Sequence, residues 1–218
     1  MTQQRLWPHL KRCAELGFVL YGGTAVALRL GHRSSVDFDF FTEKSLDRDA
    51  IQAAFPFMRQ STVLQDEKNT LSVLVPSASG IEGGSAHEYV KVSFFGTIGF
   101  GRVGKPDCTE DGVLQVASFN DLIATKVKVI LQRAEAKDYR DIAAMIKEGV
   151  SLANGLSAAR EIFGLSFQPS EALKALVYFA DGDLGTLTYD EKSTLVNTVS
   201  AVRELPVVEI LSKQLCVQ

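Results

Sequence analysis

Asp37 and Asp39 alternate with apolar residues in the run 36–41. This alternation predicts a β-strand on which the two carboxylates project from one face and the apolar side chains from the other. Two carboxylates so close together repel each other unless a cation lies between them. Their hard oxygen atoms suit Mg²⁺, which keeps several waters and binds substrate phosphates. The motif therefore predicts a magnesium site at Asp37 and Asp39.

A glycine turn precedes this strand in the sequence. Gly22, Gly23 and Thr24 follow the short apolar run 18–21, which reads as a buried strand. Because the two glycines lack side chains, their amides can approach phosphate oxygens closely, and the helix that follows adds a favourable dipole. Further donors for a triphosphate are nearby: Thr24, Arg29, Arg33 and Ser35. The turn therefore predicts a triphosphate site beside the metal.

Each motif also has a simpler interpretation. Paired glycines are often only a tight turn, and two aspartates on one strand face often point into solvent. The combination of a buried strand, a Gly-Gly-Thr turn, a short helix and then Arg-x-Ser-x-Asp-x-Asp is what favours a nucleotide site.

The periodicity of the remaining chain predicts an α+β fold, a mixed sheet with flanking helices followed by a helical half. The predicted strands are 18–21, 36–41, 70–75, 89–95 and 113–116. The predicted helices are 6–16, 24–30, 46–55 with Ser45 as its cap, 119–133, 139–147, 152–163, 171–179 and 191–204. Residues 77–86 are expected to form a loop. Near residue 117 the sequence pattern changes from strands mixed with helices to helices alone. We expect this change to divide the chain into a sheet-containing core, 1–117, and a helical domain, 118–218, that completes the site.

The second candidate segment begins where the helical half begins. Ser118 followed by Asp121 is typical of a helix start, and Lys126, Ile130 and Arg133 follow at near-helical spacing. This spacing predicts a basic stripe that adds Lys126 and Arg133 to the nucleotide site. An amphipathic helix with its lysines in water has the same pattern.

Composition limits the other classes of function. The chain has 218 residues and a formal net charge of -3, which argues against a general nucleic-acid coat. Three cysteines without metal-ligand spacing argue against a disulfide framework or a zinc site. We expect a cytoplasmic protein without a membrane span.

Two segments of the sequence resemble a known family. The run GGTAVALRLGHRSSVDFDFF at 22–41 resembles the first motif of the AbiEii/AbiGii toxin nucleotidyltransferases, a branch of the polymerase-beta-like superfamily. The run DLIATKVKVILQRAEAKDYRDIAAMIKEG at 121–149 resembles that family's downstream motif. The resemblance implies that the metal and triphosphate element contains Ser35, Asp37 and Asp39. It also implies a triphosphate-contacting lysine at Lys126 and later acidic positions at Asp138 and Asp141. Both aspartates also have a purely structural interpretation. Asp138 can cap the helix that starts at 139, and Asp141 can lie in the first turn of that helix.

One departure from the superfamily concerns a third carboxylate, which such enzymes commonly carry on a neighbouring strand. The natural place is the strand 89–95, which offers Ser93. Glu88 would face the other side of that strand, and Asp66 or Glu67 would require a different register. Asp138 or Asp141 from the helical half is the remaining source of an oxygen ligand.

These observations predict a Mg²⁺-dependent nucleotidyltransferase that moves a nucleoside monophosphate from a nucleoside triphosphate to an acceptor hydroxyl. The resemblance implies an RNA acceptor, with a transfer RNA end as one example, in a toxin restrained by an antitoxin; a protein hydroxyl stays open. The alternative is a catalytically silent module that binds nucleotide or a protein partner. A dinucleotide-dependent oxidoreductase is disfavoured because the glycine fingerprint is incomplete.

Overall fold

A single mixed sheet organises the molecule. The structure, a computed structural model, describes residues 6–76 and 89–217. Within them the strands lie in the order β3-β4-β5-β2-β1-β7-β6. The strands are β1 Val19–Tyr21, β2 Phe38–Phe41, β3 Thr62–Glu67, β4 Thr70–Pro76, β5 Tyr89–Phe95, β6 Asp107–Cys108 and β7 Gln115–Val116. The β1–β7 and β2–β5 pairs are parallel and the other pairs are antiparallel.

Helices flank this sheet, and most of them follow β7. The α-helices in the described residues are α1 Arg12–Glu15, α2 Gly22–Leu30, α3 Arg48–Ala54, α4 Phe119–Val129, α5 Ala136–Lys147, α6 Leu152–Phe163, α7 Pro169–Leu176 and α8 Tyr189–Ala201. Short 3₁₀ segments occur at Trp7–Lys11, Pro56–Gln60, Gly164–Ser166 and Leu184–Thr186. The predicted α+β class is confirmed. No helix in the described part of the chain has the length and apolarity of a membrane span.

Side-chain alternation on β2 separates the core from the candidate site. Phe38 and Phe40 are at most 1% exposed, and the ring of Phe40 packs 5.7 Å from that of Phe94 on β5. Burial of one such aromatic side chain contributes about 1.5–3 kcal/mol to folding. Because successive strand residues face opposite ways, Asp39 projects from the other face of the sheet. The hydrophobic face of β2 thereby fixes where the carboxylate points.

Several elements differ from their predicted bounds. The predicted first helix, 6–16, is a 3₁₀ segment followed by the single turn α1. Helix α2 begins at Gly22, so the two glycines are its first turn instead of a turn before it. Strand β2 begins at Phe38, which leaves Asp37 just outside it. Asp47, not Ser45, caps α3 by accepting a hydrogen bond from the Ala50 amide.

Strand β3 was not predicted, because all six of its residues are exposed and its sequence carries no buried alternation. It is held by its antiparallel pairing with β4. The predicted loop 77–86 lies outside the described residues.

The end of the chain returns to the sheet after α8. The Leu215 amide donates a hydrogen bond to Glu43, and the Gln115 side chain exchanges hydrogen bonds with the Val217 backbone. Ser212 forms a bridge with Arg102. The division at residue 117 stays a prediction.

Candidate functional site

Asp37 and Asp39 line a cleft of about 570 Å³ between the sheet and helices α4 and α5. Asp39 lies in the middle of the sheet, in register with Tyr21 on β1 and Ser93 on β5. In residues 6–76 and 89–217, neither carboxylate takes part in a hydrogen bond or a salt bridge. Two adjacent carboxylates without a protein cation in contact form a suitable pair of ligands for a divalent cation.

The first turn of α2 lies directly against the Asp39 carboxylate, with no side chain between the helix backbone and that group. Gly22 has a φ of +73°, and a Cβ built on it would lie 2.5 Å from Oδ2 of Asp39. A Cβ on Gly23 would lie 2.4 Å from Nη2 of Arg33. Both distances are far below a normal contact, so only glycine lets the carboxylate and the guanidinium come this close to the helix. First-turn amides of a helix have no intrahelical partner, which suits this end of the cleft to an anionic group.

We expect Gly22→Ala to weaken Mg²⁺ binding about 10- to 100-fold, the effect typical of displacing a group that orients a metal ligand. The added methyl group would push the Asp39 carboxylate away from its present position. Gly31→Ala is the matched control: Gly31 also has a positive φ, +61°, but nothing lies within 4 Å of its Cβ position. Titration with Mn²⁺ measures the difference, and equal affinities for the two variants would contradict this assignment.

Thr24 holds the segment that carries the first aspartate. It is 4% exposed, its hydroxyl lies 2.8 Å from the hydroxyl of Ser35, and it donates a hydrogen bond to the carbonyl of Asp37. Ser35 lines the cleft, whereas Thr24 is not among the lining residues. Thr24 therefore holds Ser35 and Asp37 in position without lining the cleft itself.

A buried ion-pair cluster adjoins the first turn of α2 and reaches the cleft through Arg33, Lys126, Arg133 and Asp138. Asp141, which is fully buried, accepts two hydrogen bonds from Arg33, at 2.6 and 2.9 Å, and lies 2.8 Å from Nε2 of His32. Lys126 Nζ lies 2.6 Å from a carboxylate oxygen of Asp138 and 2.6 Å from one of Asp141. Asp138, also fully buried, accepts a further hydrogen bond from Arg133 at 2.9 Å. These carboxylates thus hold three cationic side chains toward the cleft.

Charge pairing decides the ionisation of these two buried aspartates. Burial alone would raise the pKa of Asp141, but the hydrogen bonds from Arg33 and the charge of Lys126 outweigh it and hold that pKa below its ordinary value. For Asp138, burial is likewise opposed by Lys126 and Arg133, and its pKa is also lowered. Both carboxylates are ionised at neutral pH and are fully engaged with protein cations.

Asp39 behaves in the opposite way. Burial raises the pKa of Asp39, the charge of Lys91 partly offsets this effect, and the charge of Asp37 adds to it. A raised pKa means that folding favours the protonated carboxyl. Ionisation of Asp39 therefore weakens the fold as the pH rises from the unfolded-state pKa through the folded-state pKa.

Asp39→Asn should consequently raise the melting temperature of the metal-free protein at pH 7 by a few degrees, since a chain of this size shifts by about 2–4 °C per kcal/mol. The difference from wild type should be small near pH 4 and grow toward pH 7. Mg²⁺ should reduce this difference in melting temperature, because it stabilises only the wild type. Thermal unfolding across this pH range tests the prediction; equal melting temperatures at pH 7 without metal would rule it out.

Comparison with known proteins assigns the family. A family model described as nucleotidyl transferase AbiEii toxin, type IV toxin–antitoxin system, matches residues 14–193. The chain belongs to this family. An uncharacterized protein from Aquifex aeolicus (strain VF5) is 31% identical over an alignment of 180 residues that covers 79% of this chain and 80% of that protein.

Solved structures share the fold of this AbiEii family member. A candidate nucleotidyltransferase from Helicobacter pylori superposes with a TM-score of 0.60 at 18% identity, covering 90% of this chain and 91% of its own. The nucleotidyltransferase toxin MenT4 from Mycobacterium tuberculosis superposes with a TM-score of 0.57 at 13% identity, covering 89% and 82%. The mixed sheet and its flanking helices are therefore a nucleotidyltransferase fold.

Not every residue singled out in the sequence lies in the cleft of this AbiEii protein. Arg29 donates hydrogen bonds to Asp107 and to the carbonyls of Val116 and Ala117, and it stacks over the ring of Phe119. Arg29 joins α2 to strands β6 and β7 and does not lie in the cleft with the other predicted site residues. The alternative role of Asp138 as a helix cap was wrong, because α5 begins at Ala136 and Asp138 lies in its first turn.

The position of the third carboxylate holds a serine pair. Ser93, in register with Asp39, is fully buried, and its hydroxyl accepts a hydrogen bond from the Ser72 hydroxyl at 3.1 Å. Asp66 lies on the edge strand β3 and pairs with Arg48. Glu88 lies outside the described residues. Within the described residues no group of three or more acidic, histidine or cysteine side chains is arranged to hold a metal ion.

Two features of the cleft escaped the sequence analysis. Lys91 on β5 lines the cleft beside Asp39. Phe41 and Phe95, paired across β2 and β5 with ring centroids 5.1 Å apart, form its apolar end. The only sequence signal for these residues was strand parity. Phe41 lies two residues from Asp39, and Lys91 and Phe95 each lie two residues from Ser93, so all three share the sheet face of Asp39 and Ser93.

Proposed function

We propose that this AbiEii family protein transfers a nucleoside monophosphate from a Mg²⁺-bound nucleoside triphosphate to an acceptor hydroxyl. The observation that carries the proposal is the contrast between its two pairs of aspartates. Asp138 and Asp141 are saturated by protein cations, whereas Asp37 and Asp39 face the same cleft with no such partner in the described chain.

The donor set fits Mg²⁺. Two adjacent carboxylates, an open cleft and nearby phosphate-binding groups match an ion that binds through one or two carboxylates and completes its shell with water and phosphate oxygens. Asp37 and Asp39 would hold it. When bound, it would neutralise phosphate charge and polarise the phosphoryl group under attack.

The triphosphate would lie in the cleft along the surface formed by the first turn of α2 and the adjoining ion-pair cluster. Amides at Gly22 and Gly23 and the hydroxyl of Ser35 offer hydrogen bonds to its oxygens. The cationic side chains on the same cleft are Arg33, Lys126 and Arg133. Lys126 keeps one of its three ammonium protons for the ligand, since two are directed to Asp138 and Asp141. This arrangement would orient the triphosphate and stabilise the leaving pyrophosphate.

In the reaction, the acceptor oxygen forms a bond to the α-phosphorus, and the bond from that phosphorus to the bridging oxygen breaks. Pyrophosphate leaves with the electron pair, and the acceptor proton goes to solvent water. The protein contributes orientation and charge neutralisation, which account for most of the catalysis of phosphoryl-group transfer.

RNA is the proposed acceptor, with a transfer RNA end as a specific case, in a cytoplasmic toxin controlled by an antitoxin. Two observations support it. The family is one of nucleotidyltransferase toxins in toxin–antitoxin systems. The outer part of the cleft is lined by Gln132, Arg133 and Lys137, which suit a polyanion.

Incubation of total RNA and soluble protein with each of the four nucleoside triphosphates, followed by mass spectrometry, tests the acceptor. We expect RNA ends to gain the mass of one or more nucleotide residues. A gain on protein side chains instead would replace RNA with a protein hydroxyl.

The buried Ser93 favours one second candidate, a silent module that binds nucleotide without transferring it. This alternative predicts Mg²⁺-dependent binding of a triphosphate, seen as thermal stabilisation, with no change in RNA or protein mass.

A further inference from the structure

Lys91 is a cleft residue to which the proposed reaction gives no role. It lies on β5, two residues before Ser93 and therefore on the same sheet face as Asp39. It is partly buried and lines the cleft with Asp37 and Asp39. Within the described chain its ammonium group forms no hydrogen bond or salt bridge. A cleft ammonium group with no partner among residues 6–76 and 89–217 can interact with a substrate.

The electrostatic effect of Lys91 on Asp39 exceeds that of the other cations in the cleft. Among the charges that lower the pKa of Asp39, Lys91 ranks ahead of Lys126 and Arg133.

The same strand lacks the ligand that a second metal ion would need. Ser93 faces Asp39 but is fully buried, and its hydroxyl is engaged with Ser72. The described residues provide two unpaired carboxylates in the cleft, which is enough for one hydrated divalent cation. Among the described residues a second cation there would find no third unpaired carboxylate, and the ammonium group of Lys91 would repel it.

We propose that this protein works with a single divalent cation and that the Lys91 ammonium supplies the charge that a second cation would otherwise provide. The inference rests on the proposed function. The Lys91 ammonium group stabilises the negative charge that develops on the entering acceptor oxygen and on the α-phosphoryl oxygens. The new bond is still oxygen to α-phosphorus, pyrophosphate still leaves with the electron pair, and the acceptor proton passes to solvent water.

Metal stoichiometry tests the inference without turnover. The protein is titrated with Mn²⁺ in the presence of a saturating triphosphate analogue that cannot be cleaved between the α- and β-phosphates, and bound Mn²⁺ is measured by electron paramagnetic resonance. We expect one Mn²⁺ per chain for the wild type. Two bound ions per chain would overturn the inference.

Lys91→Ala separates a catalytic role from a merely repulsive one. We expect its kcat to fall about 10²- to 10³-fold, the usual effect of removing one group that stabilises transition-state charge. KM for the triphosphate should stay within about threefold, and Mn²⁺ affinity should be equal or tighter because a competing positive charge is gone. Lys68→Ala, in the exposed turn between β3 and β4, is the matched control and should behave as wild type.

A Lys91→Ala variant with wild-type kcat and an unchanged melting temperature would overturn the role of Lys91 while leaving the proposed function intact. A wild type that transfers no nucleotide to any acceptor would overturn the proposed function, and this inference with it.

Discussion

Replacing Asp37 or Asp39 with alanine is expected to lower kcat for nucleotidyl transfer at least about a thousandfold, because loss of a metal ligand removes several kcal/mol of transition-state stabilisation. Each variant leaves one carboxylate facing the first turn of α2, which is too few ligands to fix a hydrated cation against the triphosphate. The triphosphate wall itself is unchanged, so metal-free nucleotide binding should stay within a few-fold of wild type. Steady-state kinetics and equilibrium binding on the same preparations measure both effects.

Asp66→Ala is the matched control for these two variants. Asp66 was a possible third ligand by sequence, but it lies on edge strand β3 and is paired with Arg48. Its removal should change kcat by less than about twofold, as expected for an exposed ion pair remote from the cleft. Asp37→Ala or Asp39→Ala with more than a tenth of wild-type kcat would contradict the assignment of these residues as the metal pair.

Asp141→Ala is expected to destabilise the protein by about 3–5 kcal/mol, the usual cost of removing one member of a buried ion pair. The fully buried Asp141 holds Lys126, Arg33 and His32 together, and without it two cations are left in a poorly solvated wall. At about 2–4 °C per kcal/mol, the melting temperature should fall by 6 °C or more.

The pH dependence of this loss follows from the lowered pKa of Asp141. Its stabilising contribution is complete above the unfolded-state pKa near 3.8 and disappears as the pH falls through the lower folded-state pKa. The difference between Asp141→Ala and wild type should therefore be constant from pH 5 to 7 and shrink below about pH 4. Asp190→Ala, which breaks the exposed pair with Lys147, should cost less than about 1 kcal/mol. Equal losses for Asp141→Ala and Asp190→Ala would show that the cluster has no structural role.

Local spacing was enough to predict the direction of Asp39. Strand parity does not depend on the rest of the chain, so the sequence predicts that Asp39 faces away from Phe38 and Phe40. The predicted bounds of β5 and α6 also match the structure. Asp37, in contrast, precedes β2, and its backbone is held by the hydrogen bond from Thr24.

The rest of the site depends on contacts between distant parts of the chain. Arg33 and Asp141 are 108 residues apart in sequence and form a bidentate pair. The surroundings of Arg29 could not be predicted either, since its partners lie on strands β6 and β7, which pack beside α2 only in the folded sheet. Lys91 was not predicted as a site residue because the superfamily pattern places an acid on the strand 89–95, and spacing alone does not mark a lysine there as a cleft residue.

Nucleotidyl transfer can be tested with one nucleoside triphosphate labelled on either the α- or the γ-phosphate and incubated with the protein, Mg²⁺ and total RNA. We expect α-label to enter ribonuclease-sensitive, acid-precipitable material and γ-label to be released as pyrophosphate, and we expect Asp39→Ala to abolish both. Transfer of γ-label to any acceptor, or failure to transfer α-label from all four nucleotides to RNA or protein, would contradict this expectation.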